Sequence, residues 1–154
     1  VSETLGEYNI QERNLITEER IFKLDQEFFP QPWKKFDWEI IFKNTENRIF
    51  IVNDNKGNIC GCALFQLDEY LSQAHLLKII VAPMLRGKGL GFDLLSYAFE
   101  ELKVLKCTNV FLEVSTKNEG ALSLYRRLNF KVLTLKKKFY SNGENAYAMQ
   151  FVFE

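Results

Sequence analysis

One histidine, three cysteines and three prolines are found among 154 residues, and twenty Lys and Arg cancel twenty Asp and Glu. The lone histidine, His75, leaves a histidine-based metal site or a Ser-His-Asp triad short of partners, and no metal site is expected. Cys60, Cys62 and Cys107 match neither a disulfide framework nor a zinc spacing; Cys60 and Cys62 are expected on one face of a strand as small apolar fillers. With no net charge there is no overall pull on nucleic acid or anionic lipid. The basic runs Arg126-Arg127 and Lys136-Lys137-Lys138 read as solvated faces. No stretch approaches the ~20 apolar residues that span a bilayer, and VSETLGEYNI lacks the basic-then-apolar profile of an export signal. Free thiols without such a signal lead us to expect a cytoplasmic protein that binds neither nucleic acid nor membrane.

What is present is an ordinary globular balance, 47% apolar and 26% charged, without repeats or a linker, so 1–154 reads as one domain. The pattern predicts a first strand over 8–13, then a helix with Thr17 as N-cap, Glu18 and Glu19 in its first turn, and Ile21, Leu24 and Phe28 inward. Pro30 and Pro32 end it. A short helix over 35–43 is expected to bury Phe36, Ile40 and Ile41. Strands over 48–52 and 59–67 form a hairpin, and 76–81 reads as a strand buried on both faces. A helix running to about 105, a strand over 110–114, a helix over 118–128 and a closing hairpin over 131–140 and 146–153 follow. The order implies an α/β fold: a central mixed, mostly antiparallel sheet with helices on both faces.

The segment RGKGLGFDLL places Gly87, Gly89 and Gly91 beside a helix start, where each glycine costs roughly 0.5–1 kcal/mol relative to alanine. A helix N-terminus leaves N–H groups unpaired and binds phosphate well, and glycines let an anion approach the bare backbone. The frame fails both the Walker A pattern and GxGxxG. It fits Q/R-x-x-G-x-G/A through Arg86, Gly89 and Gly91. Together with FPQPW, HLLKIIVAP, FLEVSTKNEGALSLYRRLNF and KKFYSNGENAYAM, this segment resembles the GCN5-related N-acetyltransferases (GNAT), in particular the RimI-type enzymes that acetylate ribosomal-protein N-termini.

The resemblance implies that acetyl-CoA lies along Ile79, Ile80 and Val81, with its pyrophosphate on the amides of Arg86, Gly87, Lys88, Gly89, Leu90 and Gly91, and with Asn118 near the reacting end. It implies Glu113 as general base, acting through water because a carboxylate of pKa ~4.3 is a weak direct acceptor from an ammonium. It implies Tyr125 as the acid that protonates the CoA thiolate. The plainer readings are an edge carboxylate paired with Arg126 or Lys117, and a core tyrosine. An oxyanion donor is expected among the main-chain N–H groups around Val81. Acceptor contacts are expected from Phe29, Trp33 and Tyr140, with Asp68 and Glu69 attracting a basic peptide from a loop, 68–75, longer than the relatives' counterpart. Where relatives carry Tyr-Tyr-Pro, this chain has Phe139-Tyr140-Ser141.

At pH 7 an α-amine of pKa ~7.8 is roughly one-seventh neutral, whereas lysine at ~10.4 is neutral in about one molecule in 2,500. A site with one carboxylate and no histidine near it suits the easier amine. The expected activity is therefore transfer of acetyl to a protein N-terminus. The resemblance points to a small-subunit ribosomal protein as partner, with a monomer or weak dimer as the working form. Acetylation of a lysine or a small amine, and a non-catalytic acyl-CoA-binding module, are the alternatives.

Overall fold

The computed structural model describes residues 2–5 and 7–154. Along the chain lie β1 (Ser2–Leu5), β2 (Tyr8–Glu12), α1 (Glu18–Phe28), α2 (Lys35–Lys43), β3 (Asn47–Asp54), β4 (Ile59–Asp68) and β5 (Gln73–Val81). Then come α3 (Leu90–Val104), β6 (Asn109–Ser115), α4 (Glu119–Arg127), β7 (Lys131–Lys136) and β8 (Ala146–Val152). The eight strands make one sheet in the order β1-β2-β3-β4-β5-β6-β8-β7, with β5 and β6 as its parallel pair. One face packs on α1 and α2 through Ile21, Leu24, Trp38, Ile49, Ile51, Cys62, Leu64 and Ile80. The other carries the larger core, where Leu94, Leu95, Ala98 and Leu102 of α3 and Leu122 of α4 meet Phe50, Phe65, Val110 and Met149. The expected mixed sheet with helices on both faces is what forms.

Several local expectations are corrected. Thr17 does not cap α1 with its side chain; its backbone is already helical, and Asn14 caps the preceding turn by accepting from the Ile16 N–H at 3.1 Å. Helix α2 has the expected bounds, and Ile41 packs on the α1 core as expected, but the rest of its inward side differs. Phe36 and Ile40 are 69% and 53% exposed, while Trp38 is fully buried. The indole wins the interior because it brings the larger apolar area and its N–H finds a buried acceptor, Asp25. Cys60 and Cys62 do not share a face: Cys60 packs in the α3 core and Cys62 in the α1 core. A register shift between Val52 and Asn53, pairing Val52 with Gly61 and Asn53 with Ile59, leaves Cys60 as the extra residue.

Strand β5 carries a second irregularity. Leu64 pairs with Lys78 and Phe65 with Leu76, so Leu77 is the unpaired residue of a bulge. The side-chain alternation slips by one there: Ala74 and Leu76 face the α3 core, while Ile80 and Lys78 face α1. Both faces of the strand are covered, as its apolar run suggested, with Lys78 the one charge buried among them. Its parallel pairing with β6 covers Gln73–Asn109, Ala74–Val110 and His75–Phe111 and then stops. Beyond that point β5 runs on to Val81 against β4 alone, while β6 runs on to Ser115 against β8. The two strands part at their C-terminal ends, and the helices that follow them, α3 and α4, begin beside the opening.

Candidate functional site

The first wall of the opening is main chain. Ile79, Ile80 and Val81 pair with Ala63, Cys62 and Gly61 of β4 on one edge, leaving the other edge toward the gap. Ile79 and Val81 pack toward the α3 core and Ile80 toward α1, so Ile80 can offer a ligand in the gap only its backbone. A short turn, Pro83–Leu85, leads into the glycines. Gly87 and Gly89 have φ of +76° and +81°, and a Cβ on either would meet nothing within 4 Å. Both facts point to a backbone held open on its outer side. Gly89 is the N-cap of α3, and among the described residues no side chain caps that helix, so its first N–H groups are free to receive an anion. Gly91 differs. It lies inside α3, where a Cβ would sit 3.4 Å from Leu124 and 3.8 Å from Val81, so it sets the approach of α3 to α4. Arg86 donates from Nε to the Val81 carbonyl at 3.0 Å, pinning the loop to the end of β5. Lys88 is exposed, and Leu90 is buried under the loop. Asn118 caps α4, its Oδ1 accepting from the Ala121 N–H at 3.1 Å, on an exposed side chain. The stretch fits a cofactor carrying a pyrophosphate and amide-bearing arm: open left-handed glycines, an uncapped helix N-terminus and a free strand edge.

The second wall is made of side chains. Glu113 on β6 has a side chain only 13% exposed. Its Oε1 lies 2.7 Å from His75 Nε2 and its Oε2 accepts from Lys136 Nζ at 3.3 Å. Because the carboxylate accepts, Nε2 carries the His75 proton. The ring of His75 is stacked on Phe111 at 4.2 Å between centroids. The expectation that no histidine stands near the carboxylate is thus corrected, and its partners are His75 and Lys136 in place of Arg126 or Lys117. Lys136 spans β8 to reach Glu113, passing a position held by Ala146 and Ala148, side chains small enough to let it cross. Its ammonium also lies 5.2 Å from the ring centroid of Phe139.

Tyr125 on α4 is buried and T-stacked on Phe130 at 5.5 Å. Burial pushes its phenol above the ordinary range, with the nearby Tyr140 adding in the same direction. Tyr140 is itself pushed up, by burial first and then by Glu113 and Glu144. Tyr140 thus stands close enough for its charge to act on Tyr125 and for that of Glu113 to act on it. A cavity of about 470 Å³ adjoins His75 and Phe111 and is walled by Glu46, Gln66, Asp68 and Glu69. The loop expected over 68–75 is shorter than that. Asp68 ends β4 and accepts from the Leu71 N–H, and β5 already starts at Gln73.

Phe29 and Trp33 are half-buried in the connection between α1 and α2, held over Lys78. Sequence reasoning missed His75, Lys136, and the buried pair of Lys78 and Asp25. The signal for His75 lay in strand pairing: a parallel β5–β6 register that matches His75 with Phe111 puts it next to Glu113. The signal for Lys78 was a charge inside LLKIIV, the same oddity that singled out Glu113 in FLEVS.

Comparisons with known proteins place the chain among acetyltransferases. The model of the acetyltransferase (GNAT) family matches residues 18–130. An N-alpha-acetyltransferase of Sulfurisphaera tokodaii is 27% identical over 154 residues, covering 93% of this chain and 92% of the relative. A putative [ribosomal protein bS18]-alanine N-acetyltransferase of Bacillus subtilis is 26% identical, covering 89% of this chain and 91% of its own. The crystal structure of the ribosomal-protein-S18-alanine N-acetyltransferase from Escherichia coli superposes with a TM-score of 0.85 at 25% identity, covering 94% of this chain and 93% of that one. The chain belongs to the GNAT family and is an acetyl-CoA-dependent acetyltransferase.

Proposed function

We propose that this acetyltransferase acts on the N-terminal α-amine of a protein, with Glu113 as the base and Tyr125 as the acid. The observation that carries the reading is Glu113 itself: a largely buried carboxylate on β6, bonded to His75 and placed just past the point where β5 and β6 part. Acetyl-CoA supplies an activated thioester. Ile79, Ile80 and Val81 hold its arm by backbone, the amides of 86–91 hold its pyrophosphate, and Asn118 closes the α4 side. Glu113 accepts the proton of the acceptor ammonium through water, with His75 Nε2 holding the carboxylate in place. Tyr125 stays protonated because burial disfavours its phenolate, and it donates to the departing thiolate. Phe29, Trp33 and Tyr140 line the acceptor side, while Asp68 and Glu69 favour basic residues downstream of the amine.

Near-full-length likeness to enzymes named N-alpha-acetyltransferase supports an α-amine acceptor, and likeness to two named for ribosomal protein S18 supports a small-subunit ribosomal protein. The carboxylate-lined cavity beside His75 favours a polyamine as the second reading. The test offers labelled acetyl-CoA with a peptide bearing a free α-amine and one lysine. Label on the α-amine, lost when that amine is blocked, supports the proposal. Label on the lysine, or on a polyamine in preference to the peptide, sinks it.

A further inference from the structure

Asp25 and Lys78 form an ion pair at 2.7 Å with side chains 0% and 1% exposed, within the core between α1 and the sheet. Burying such a pair gains little net stability over apolar side chains of similar volume, so its presence asks for another reason. Asp25 gathers donors from three places. Its Oδ1 accepts from Lys78 Nζ on β5, and its Oδ2 accepts from the Trp33 N–H at 2.9 Å and from Trp38 Nε1 on α2 at 2.7 Å. Lys78 Nζ in turn lies 4.0 Å from the Phe29 ring centroid, 3.9 Å from that of Trp33 and 5.6 Å from that of Trp38. A carboxylate and three aromatic rings are a full set of partners for an ammonium. Here the chain fills its own cage.

The cage joins two parts of the site that are far apart in sequence. One is segment 29–34, fastened to Asp25 by the Trp33 N–H and to α1 again by the Trp33 carbonyl, which accepts from Gln26 Nε2 at 2.6 Å. The other is β5, where Lys78 directly precedes Ile79, Ile80 and Val81 and lies three residues, roughly 10 Å, from His75. The bulge at Leu77 is what turns Lys78 to the α1 side.

We propose that Lys78 and Asp25 are positioning residues that clamp segment 29–34 to β5, holding the acceptor's binding surface in register with the strand that receives the donor. The inference rests on the reading of Phe29 and Trp33 as acceptor contacts. Both of the chain's tryptophans, Trp33 and Trp38, lie in this network, so tryptophan emission reports on it.

The experiment compares the parent with Asp25→Asn/Lys78→Met, which removes both charges at nearly constant volume, and with each single change. The singles each strand one buried charge and lower Tm by roughly 10 °C. The double variant recovers most of that. It binds CoA within about twofold of the parent, yet its acceptor KM rises by about tenfold and its tryptophan emission shifts to the red. A double variant with parental Tm and parental acceptor KM overturns the clamp. Trp33→Ala separates the levels: if it raises acceptor KM while the double variant does not, the clamp fails and the acceptor reading stands. If it leaves acceptor KM unchanged, both fail. Should the double variant not fold, the parent still decides. A tryptophan-free acceptor peptide must change its tryptophan emission at saturation, and no change overturns the proposal.

Discussion

Along 79–91 the protein presents main chain: a strand edge turned to the gap, two left-handed glycines and the uncapped start of α3. Around Glu113 it presents side chains, with His75 from β5, Lys136 from β7 and Tyr140 from the hairpin, and behind them the Asp25–Lys78 clamp. The first region is one continuous stretch, and nearly any side chain pointing away from it leaves it intact. The second is gathered from elements up to about a hundred residues apart, so a change in any of several places alters it. A donor common to a whole family suits the first kind of construction. An acceptor that differs between relatives suits the second.

Five substitutions or measurements sharpen that contrast. The largest effect is expected from Glu113→Gln, which keeps the shape and the hydrogen bond to His75 but removes the proposed base. Turnover should fall by about 10²–10⁴-fold in a steady-state assay. Gly89→Val forces a β-branched residue to φ +81°, at about 1–2 kcal/mol, and disturbs the free N–H groups of α3. CoA affinity measured by calorimetry should drop at least about tenfold. Lys136→Met frees Glu113 Oε2 from an ammonium that, on the proposed reading, competes for the carboxylate with the water that takes the acceptor's proton. Since Lys136 is 43% exposed, its pairing is screened, and acceptor KM should fall only about threefold.

The smallest effect is on stability at alkaline pH. Burial pushes the Cys62 thiol from 9.0 up to about 12. An acid whose folded value is raised contributes stability below its unfolded value and loses it as pH climbs past that value. Tm should therefore decline as pH rises above 9.0, and less steeply in Cys62→Ala. Burial in the α3 core likewise keeps Tyr125 protonated, so turnover should show no loss of the proposed acid up to the ordinary phenol value of ~10.

The contrast also explains what could be read from the residues. The elements emerged to within a few positions, α2 with its bounds unchanged, because each depends on local periodicity and breakers such as Pro30. The stretch proposed for the donor was legible for the same reason: glycine spacing and a strand-to-helix junction lie within one short segment. Register is not local. The bulges at Cys60 and Leu77 turn following residues to the opposite face without leaving any mark in composition. Missing the first misplaced Cys60 against Cys62, and missing the second hid the direction of Lys78. Starting β5 at 76 instead of Gln73 hid the three pairs that bring His75 to Glu113. Strand β1, Ser2–Leu5, was not foreseen at all. It forms by pairing with β2, and a short stretch with two polar residues and one acid does not announce that partner.

The most direct test of the division between the two walls titrates CoA into Gly89→Val and Glu113→Gln side by side, with turnover measured on the same preparations. Glu113→Gln should bind CoA as the parent does while turnover collapses, and Gly89→Val should bind CoA weakly while keeping the parental acceptor KM at saturating donor. If both variants lose CoA affinity and acceptor affinity together, the main-chain and side-chain walls are one site, and the division of labour between donor and acceptor is wrong.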